Sequence, residues 1–143
     1  MNCRSTVRRF DGDTSDTLHT AIVVHGALGL RFFAYAVTDK GTGRYVDASR
    51  APAITIAWVP QEKVRDETSS VPEIDAALAS PDHVPLLVLP SLVSAQGYRS
   101  DGGHEFPTVI IKGTPMVLAI RVERIAAGTH GQLTFGWEDP PCR

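Results

Sequence analysis

Long apolar runs, cysteines and net charge are all scarce in this sequence, and each scarcity excludes a class of protein. Apolar stretches such as residues 21–24 and 84–89 are far shorter than the roughly 20 residues a helix needs to cross a bilayer, so no helical membrane span is expected. Two cysteines, Cys3 and Cys142, stand at opposite ends of the chain. One distant pair forms neither a disulfide framework nor a zinc site, which leaves two free thiols in a reducing compartment as the expectation. Lys and Arg total 14 against 16 Asp and Glu, a formal net charge of -2 that supplies no general attraction to nucleic acid or to an anionic membrane. Residues 1–20 include Arg4, Arg8, Arg9, Asp11, Asp13 and Asp16 and hold no apolar segment of signal-peptide type. A cytoplasmic protein, or one assembled into a particle without a signal peptide, is expected.

Complete chemical motifs are missing as well. The segment Gly26-Ala27-Leu28-Gly29 lacks both the Lys-Ser/Thr ending of a phosphate loop and the three-glycine dinucleotide pattern, and it reads as a turn. Neither Ser91 nor Ser94 sits in a nucleophile elbow that would recruit His104 and Asp101. No cofactor and no metal centre is expected.

What remains is an ordinary globular composition. With 143 residues, 43% of them hydrophobic and 21% charged, the chain is long enough for one domain with a core of its own. Residues 1–17 are polar and aperiodic and are expected to form an arm without an opening strand, leaving 18–143 as a single β-rich domain. Its strands show as runs rich in β-branched and aromatic residues at 18–24, 31–38 and 53–59. The turn Asp39-Lys40-Gly41-Thr42-Gly43 points to a hairpin returning through 44–46. Ser70 and Glu73 form a capping box that starts a short helix, and Ile74, Ala77 and Leu78 give it an apolar stripe that Pro81 terminates, so it should lie over a sheet or a barrel mouth.

Pro85 and Pro90 confine 84–93 to an edge strand or an extended loop. A second hairpin is expected from 108–112 and 116–125, with Arg121 and Glu123 on a wet side, and a final half-buried strand at 132–137. Seven to eight strands, one short helix and tight turns between successive strands favour a mainly β fold, an antiparallel β-sandwich or barrel. Trp58, Trp137, Phe32, Phe33 and Phe135 sit inside alternating apolar runs and are expected in the core, not on a base-stacking surface.

The run Val37-Thr38-Asp39-Lys40-Gly41-Thr42-Gly43-Arg44-Tyr45-Val46-Asp47, followed by Ala53-Ile54-Thr55-Ile56, resembles the strand-turn-strand of some immunoglobulin-like modules of the kind found in phage tail and surface proteins. The resemblance covers about 20 residues and transfers no binding residue.

Two groups of residues carry chemical potential. Tyr98, Arg99, Asp101, His104 and Glu105 gather in the polar, glycine-bearing loop 96–105, where a ligand site would lie between rigid strands. His19 and His25 share a face of an unbroken strand and would receive His104 or His130 from elsewhere. Polar composition also suits any exposed loop, and isolated histidines are more often structural, so neither group outweighs the absence of motifs. The sequence therefore points to a non-enzymatic structural or protein–protein interaction module, a subunit of a homomeric or phage-like assembly whose partners are further copies or other protein subunits. The alternative is a small β-barrel enzyme or ligand-binding protein that combines an apolar cavity with the 96–105 loop.

Overall fold

The computed structural model describes residues 2–23, 30–64, 69–99 and 116–139. Their strands are β1 (Asn2–Asp11), β2 (Leu18–Val23), β3 (Leu30–Asp39), β4 (Ala53–Pro60), β5 (Val84–Leu89), β6 (Gln96–Arg99), β7 (Met116–Glu123) and β8 (Thr129–Asp139), with one helix, α1 (Val71–Leu78), between β4 and β5. They form two four-stranded antiparallel sheets, ordered β1-β8-β3-β6 and β2-β7-β4-β5. Among the described strands only β4 and β5 are consecutive in the chain and paired in one sheet. Every other connection between successive strands passes from one sheet to the other, which is the connectivity of an eight-stranded jelly roll.

This wiring corrects one expectation. The 39–43 turn forms, with Gly43 N–H donating to Asp39 O at 2.8 Å, but the returning segment makes only the single Thr38–Tyr45 bridge before the chain crosses to β4 in the other sheet. The strand-turn-strand that resembles an immunoglobulin hairpin is therefore not a paired hairpin. Nor do β7 and β8 pair with each other, because each lies second in a different sheet. Residues 108–112, the expected partner of β7, lie outside the described residues.

The amino-terminal segment requires a second correction. Asn2–Asp11 is no free arm: it pairs with β8 over ten residues, from Asn2 opposite Asp139 to Asp11 opposite His130. An edge strand takes its order from main-chain hydrogen bonds and needs few apolar side chains, and β1 supplies one, Phe10, which is 6% exposed and turned to the core. On the same inward face Arg8 donates through Nε to Thr20 Oγ1 at 3.0 Å and through Nη2 to Ala21 O at 3.4 Å. It thus ties the edge of one sheet to the edge of the other.

Strict alternation fills the space between the sheets. Phe33, Tyr35 and Val37 of β3, Leu133 and Phe135 of β8, Ile54, Ile56 and Trp58 of β4, and Leu118, Ile120 and Val122 of β7 meet there, all buried. The rings of Phe33 and Phe135 stack at 5.1 Å, and Tyr35 and Tyr98 continue the stack at 5.9 and 6.4 Å from Phe33. Phe32, expected in the core, faces outward on β3 and lies half-buried across Gly136, its direct neighbour on β8. The side chain of Trp137 falls outside the described residues.

The helix forms as expected. Ser70 Oγ accepts from Glu73 N–H at 3.4 Å and the Glu73 carboxylate accepts from Ser70 N–H, closing the capping box. Ile74, Ala77 and Leu78 pack on the outer face of the second sheet against Ala21, Ala57, Val59, Val117 and Ala119. Three alanines in that platform let the helix approach closely. As a result β7 is buried on both faces from Val117 to Ile120, and its wet side is limited to Arg121 and Glu123.

Candidate functional site

His19 lies on the outer face of β2, directly opposite Arg121 of β7. Both side chains reach Asp75 in the middle of α1: His19 Nε2 is 3.0 Å from Asp75 Oδ1, and Arg121 Nη1 donates to the same oxygen at 3.0 Å. Arg121 Nε is also 2.8 Å from Glu123 Oε1, in ion-pair range but without the alignment of a hydrogen bond. Arg121 above all, and His19 after it, hold the Asp75 carboxyl below its ordinary value against a partial desolvation that acts the other way. The chemistry of this cluster is a clamp: two cationic or donor groups on a sheet grip one carboxylate on a helix.

A pH dependence follows. A carboxyl whose value is depressed in the fold stabilises the protein above its unfolded value, and that contribution is lost as the pH falls through the folded value. Asp75→Asn should flatten the stability profile between roughly pH 5 and 3 relative to the parent chain, while changing stability at neutral pH by about 1 kcal/mol or less, since the carboxylate is largely solvated. Urea unfolding across that range measures it, and parallel profiles for the two proteins would remove the clamp.

The remaining sequence candidates do not converge on His19. Tyr98 belongs to β6 of the opposite sheet, where its ring packs on Phe33 and Tyr35 and its hydroxyl donates to Gln96 Oε1 at 3.2 Å. Burial, with the Tyr98 phenol adding to it, pushes Tyr35 up to about 12. Arg99 pairs through its backbone with Phe32. His130 is exposed on the outer face of β8, bonded to Thr38 Oγ1 at 3.0 Å, and is thus separated from His19 by the whole sandwich. His25, Asp101, His104 and Glu105 lie outside the described residues. Among the described residues no group of three or more His, Cys, Asp or Glu side chains is placed to hold a metal ion.

A second polar cluster, which sequence reasoning missed, joins three connections at one end of the sandwich. Lys40 Nζ lies 2.7 Å from the Asp11 carboxylate and 2.8 Å from Asp13 Oδ2, and Gly128 N–H donates to Asp13 Oδ1 at 2.8 Å. Lys40 draws both carboxyls below their ordinary value, and they raise its own. Arg50 binds Asp39 and donates to Ala127 O at 2.7 Å. Beside this network a cleft of about 690 Å³ opens between β1, the β1–β2 turn, Lys40 and the start of β8. Its partners are separated by up to 115 positions in the chain, so no local pattern announces it.

No family model matches this sequence, and no curated protein matches it. Among solved structures, one titled "Turnip yellow mosaic virus" covers 100% of this chain and 85% of its own at 6% sequence identity and a TM-score of 0.33. The jelly-roll assignment rests on the strand order described above and not on that superposition.

Proposed function

We propose that this protein is a structural, self-associating jelly-roll subunit, and the observation that carries the proposal is the composition of β5. Val84–Leu89 reads Val-Pro-Leu-Leu-Val-Leu, six apolar residues on an edge strand, with Val88 63% exposed on the outer face. A free sheet edge invites pairing with another chain, and proteins that stay monomeric blunt such edges with charge, shortness or inward-pointing ionic groups. The other three edges follow that rule. Strand β1 carries Arg8 and Arg9, β2 is tied down by Arg8, and β6 has four residues among those described. Strand β5 has Pro85 and a bulge near Ile56 at one end, but the register from Leu87 to Leu89 is regular and carries no charge.

An uncharged edge is self-complementary, so the partner best suited to it is the same strand of a second copy related by a two-fold axis. The filled interior of the sandwich supports this reading over an internal-cavity protein, because the space between the sheets is occupied by packed aromatic and aliphatic side chains.

Size-exclusion chromatography with light scattering tests the proposal. The full chain should associate, and Val88→Lys should weaken association about tenfold or more, since it places an unpaired charge in an apolar contact. Its circular dichroism should stay unchanged because Val88 is outside the core. A full-length protein that is monomeric at every concentration, or an assembly indifferent to Val88→Lys, would refute it.

A further inference from the structure

The two flanks of the sandwich are closed to different degrees. Arg8 of β1 bonds to Thr20 and Ala21 of β2, so those two strands face each other, and β5 faces β6 on the opposite flank. On the β1–β2 flank the inner-face residues Phe10, Thr20 and Ile22 are buried. On the β5–β6 flank Leu87 and Leu89 stand opposite the core residues Ile56 and Ile54, and Tyr98 of β6 stands opposite Phe33. Residues directly opposite in a pair share a face, so all three point inward. All three are nevertheless only half-buried. They form an apolar strip of two leucines and a phenol ring, with Gln96 exposed at its rim and accepting from the Tyr98 hydroxyl at 3.2 Å. Neither Val84–Leu89 nor residues 96–98 carry a charged side chain.

The β5 edge by itself is a small contact. A six-residue strand is about 20 Å long and one sheet about 10 Å thick, so a single edge presents about 200 Å² against the roughly 800 Å² per partner of a stable interface. Symmetry widens it. A two-fold axis that pairs β5 with its copy in antiparallel register runs perpendicular to that sheet and continues through the sheet behind it, so the same operation brings β6 toward its own copy. Strand β6 is too short to recruit a partner alone, and β5 carries it into the contact.

We infer that the self-association surface is the whole β5–β6 flank, through both layers of the sandwich, and that its occupant is the same flank of a second copy. The Leu87, Leu89 and Tyr98 side chains of each copy then close the half-open core of the other. This rests on the β5 reading above and extends it to the facing sheet. An uncharged apolar strip is complementary to itself, and a second copy covers it without burying an unpaired charge.

Light scattering on variants of the full chain, with circular dichroism as the folding control, tests the extension. Gln96→Glu keeps an oxygen to accept from the Tyr98 hydroxyl but puts a charge at the rim of the strip, and it should weaken association about tenfold. Gln96→Met, without charge, should leave association intact, as should Gln132→Glu at an exposed position on the outer face of β8. Amide hydrogen exchange at residues 96–98 should slow as the protein is concentrated from monomer to assembly. If Val88→Lys weakens association and Gln96→Glu matches the parent, the inference falls and the β5 reading stands; indifference to both variants removes both. Equal losses in Gln96→Glu and Gln132→Glu would also overturn it. So would exchange at 96–98 that does not change with concentration, which would mean that no second copy covers this flank.

Discussion

Phe33→Ala should lower the unfolding free energy by about 3 to 5 kcal/mol, the range for deleting a fully buried aromatic ring. Phe33 has no exposed surface and is the hub of the aromatic stack, touching Phe135, Tyr35 and Tyr98. Its neighbours come from three different strands, so the cavity cannot close by the shift of one element. Set against a total stability of about 5 to 15 kcal/mol for a domain, this single loss removes a large part of the margin. Tyr98→Ala, at the partly exposed end of the stack, should cost less.

The same variant changes an ionisation. Tyr35 is held up to about 12 mainly by burial, so its protonated form is the one compatible with the fold. The stability linked to it is intact below the ordinary phenol value of 10.0 and is lost as the pH rises toward about 12. Opening the core at Phe33 should bring the Tyr35 transition down toward 10.0, visible in phenolate absorbance. A variant with unchanged unfolding and an unchanged Tyr35 titration would contradict the described core.

Gly131→Ala should also be severe, at the upper end of the roughly 1 to 3 kcal/mol that overpacking costs. A Cβ at Gly131 would stand 2.0 Å from Phe10 Cζ, and Phe10, the cross-strand partner of Gly131, is enclosed at the inner corner. Gly136→Ala meets Phe32 even more closely, at 1.8 Å, yet Phe32 lies on the outer face and can swing toward solvent. The two substitutions are identical in chemistry and opposite in sheet face, so Gly131→Ala must be the costlier. Gly12→Ala belongs with it, because there the obstacle at 1.8 Å is the Ala126 carbonyl oxygen, which no side-chain rotation removes. Urea unfolding of the three variants ranks them, and a costlier Gly136→Ala would mean that Phe32 is locked in place by something covering the outer face.

Elements whose order arises locally were legible in the sequence. The capping box at Ser70 and Glu73 fixed the start of α1, and the alternation of Ile54, Ile56 and Trp58 marked β4 and its core face. Pro85 and Pro90 narrowed 84–93 to an edge strand or an extended loop, and β5 is an edge strand. Strand β1 was missed because its inward face reads Thr6, Arg8, Phe10, a pattern with too little apolar content to register as a strand. Strand β6, four residues ending in Tyr98 and Arg99, was absorbed into a polar loop for the same reason.

Strand order was illegible for a different reason. Turn chemistry at 39–43 was read correctly, but a tight turn does not specify whether the chain then returns beside its predecessor or crosses to the facing sheet. The clamp at Asp75 shows the same limit. His19 and Asp75 are 56 positions apart, and only the placement of α1 on β2 and β7 brings them together.

The pairing of β1 with β8 constrains how the chain reaches its fold. Asn2 is matched with Asp139, so β1 leaves the ribosome long before the strand it pairs with has been made. Until then Val7 and Phe10 wait in a segment with no sheet to join, and β3, which takes its other neighbour from β8, is equally incomplete. The β4–β5 ribbon is the one adjacent pair that synthesis delivers early, and α1, encoded between those two strands, emerges with it. Loop-closure entropy orders the remaining steps: pairings across short separations are favoured first, and the β1–β8 pairing, the most widely separated among the described strands, is favoured last.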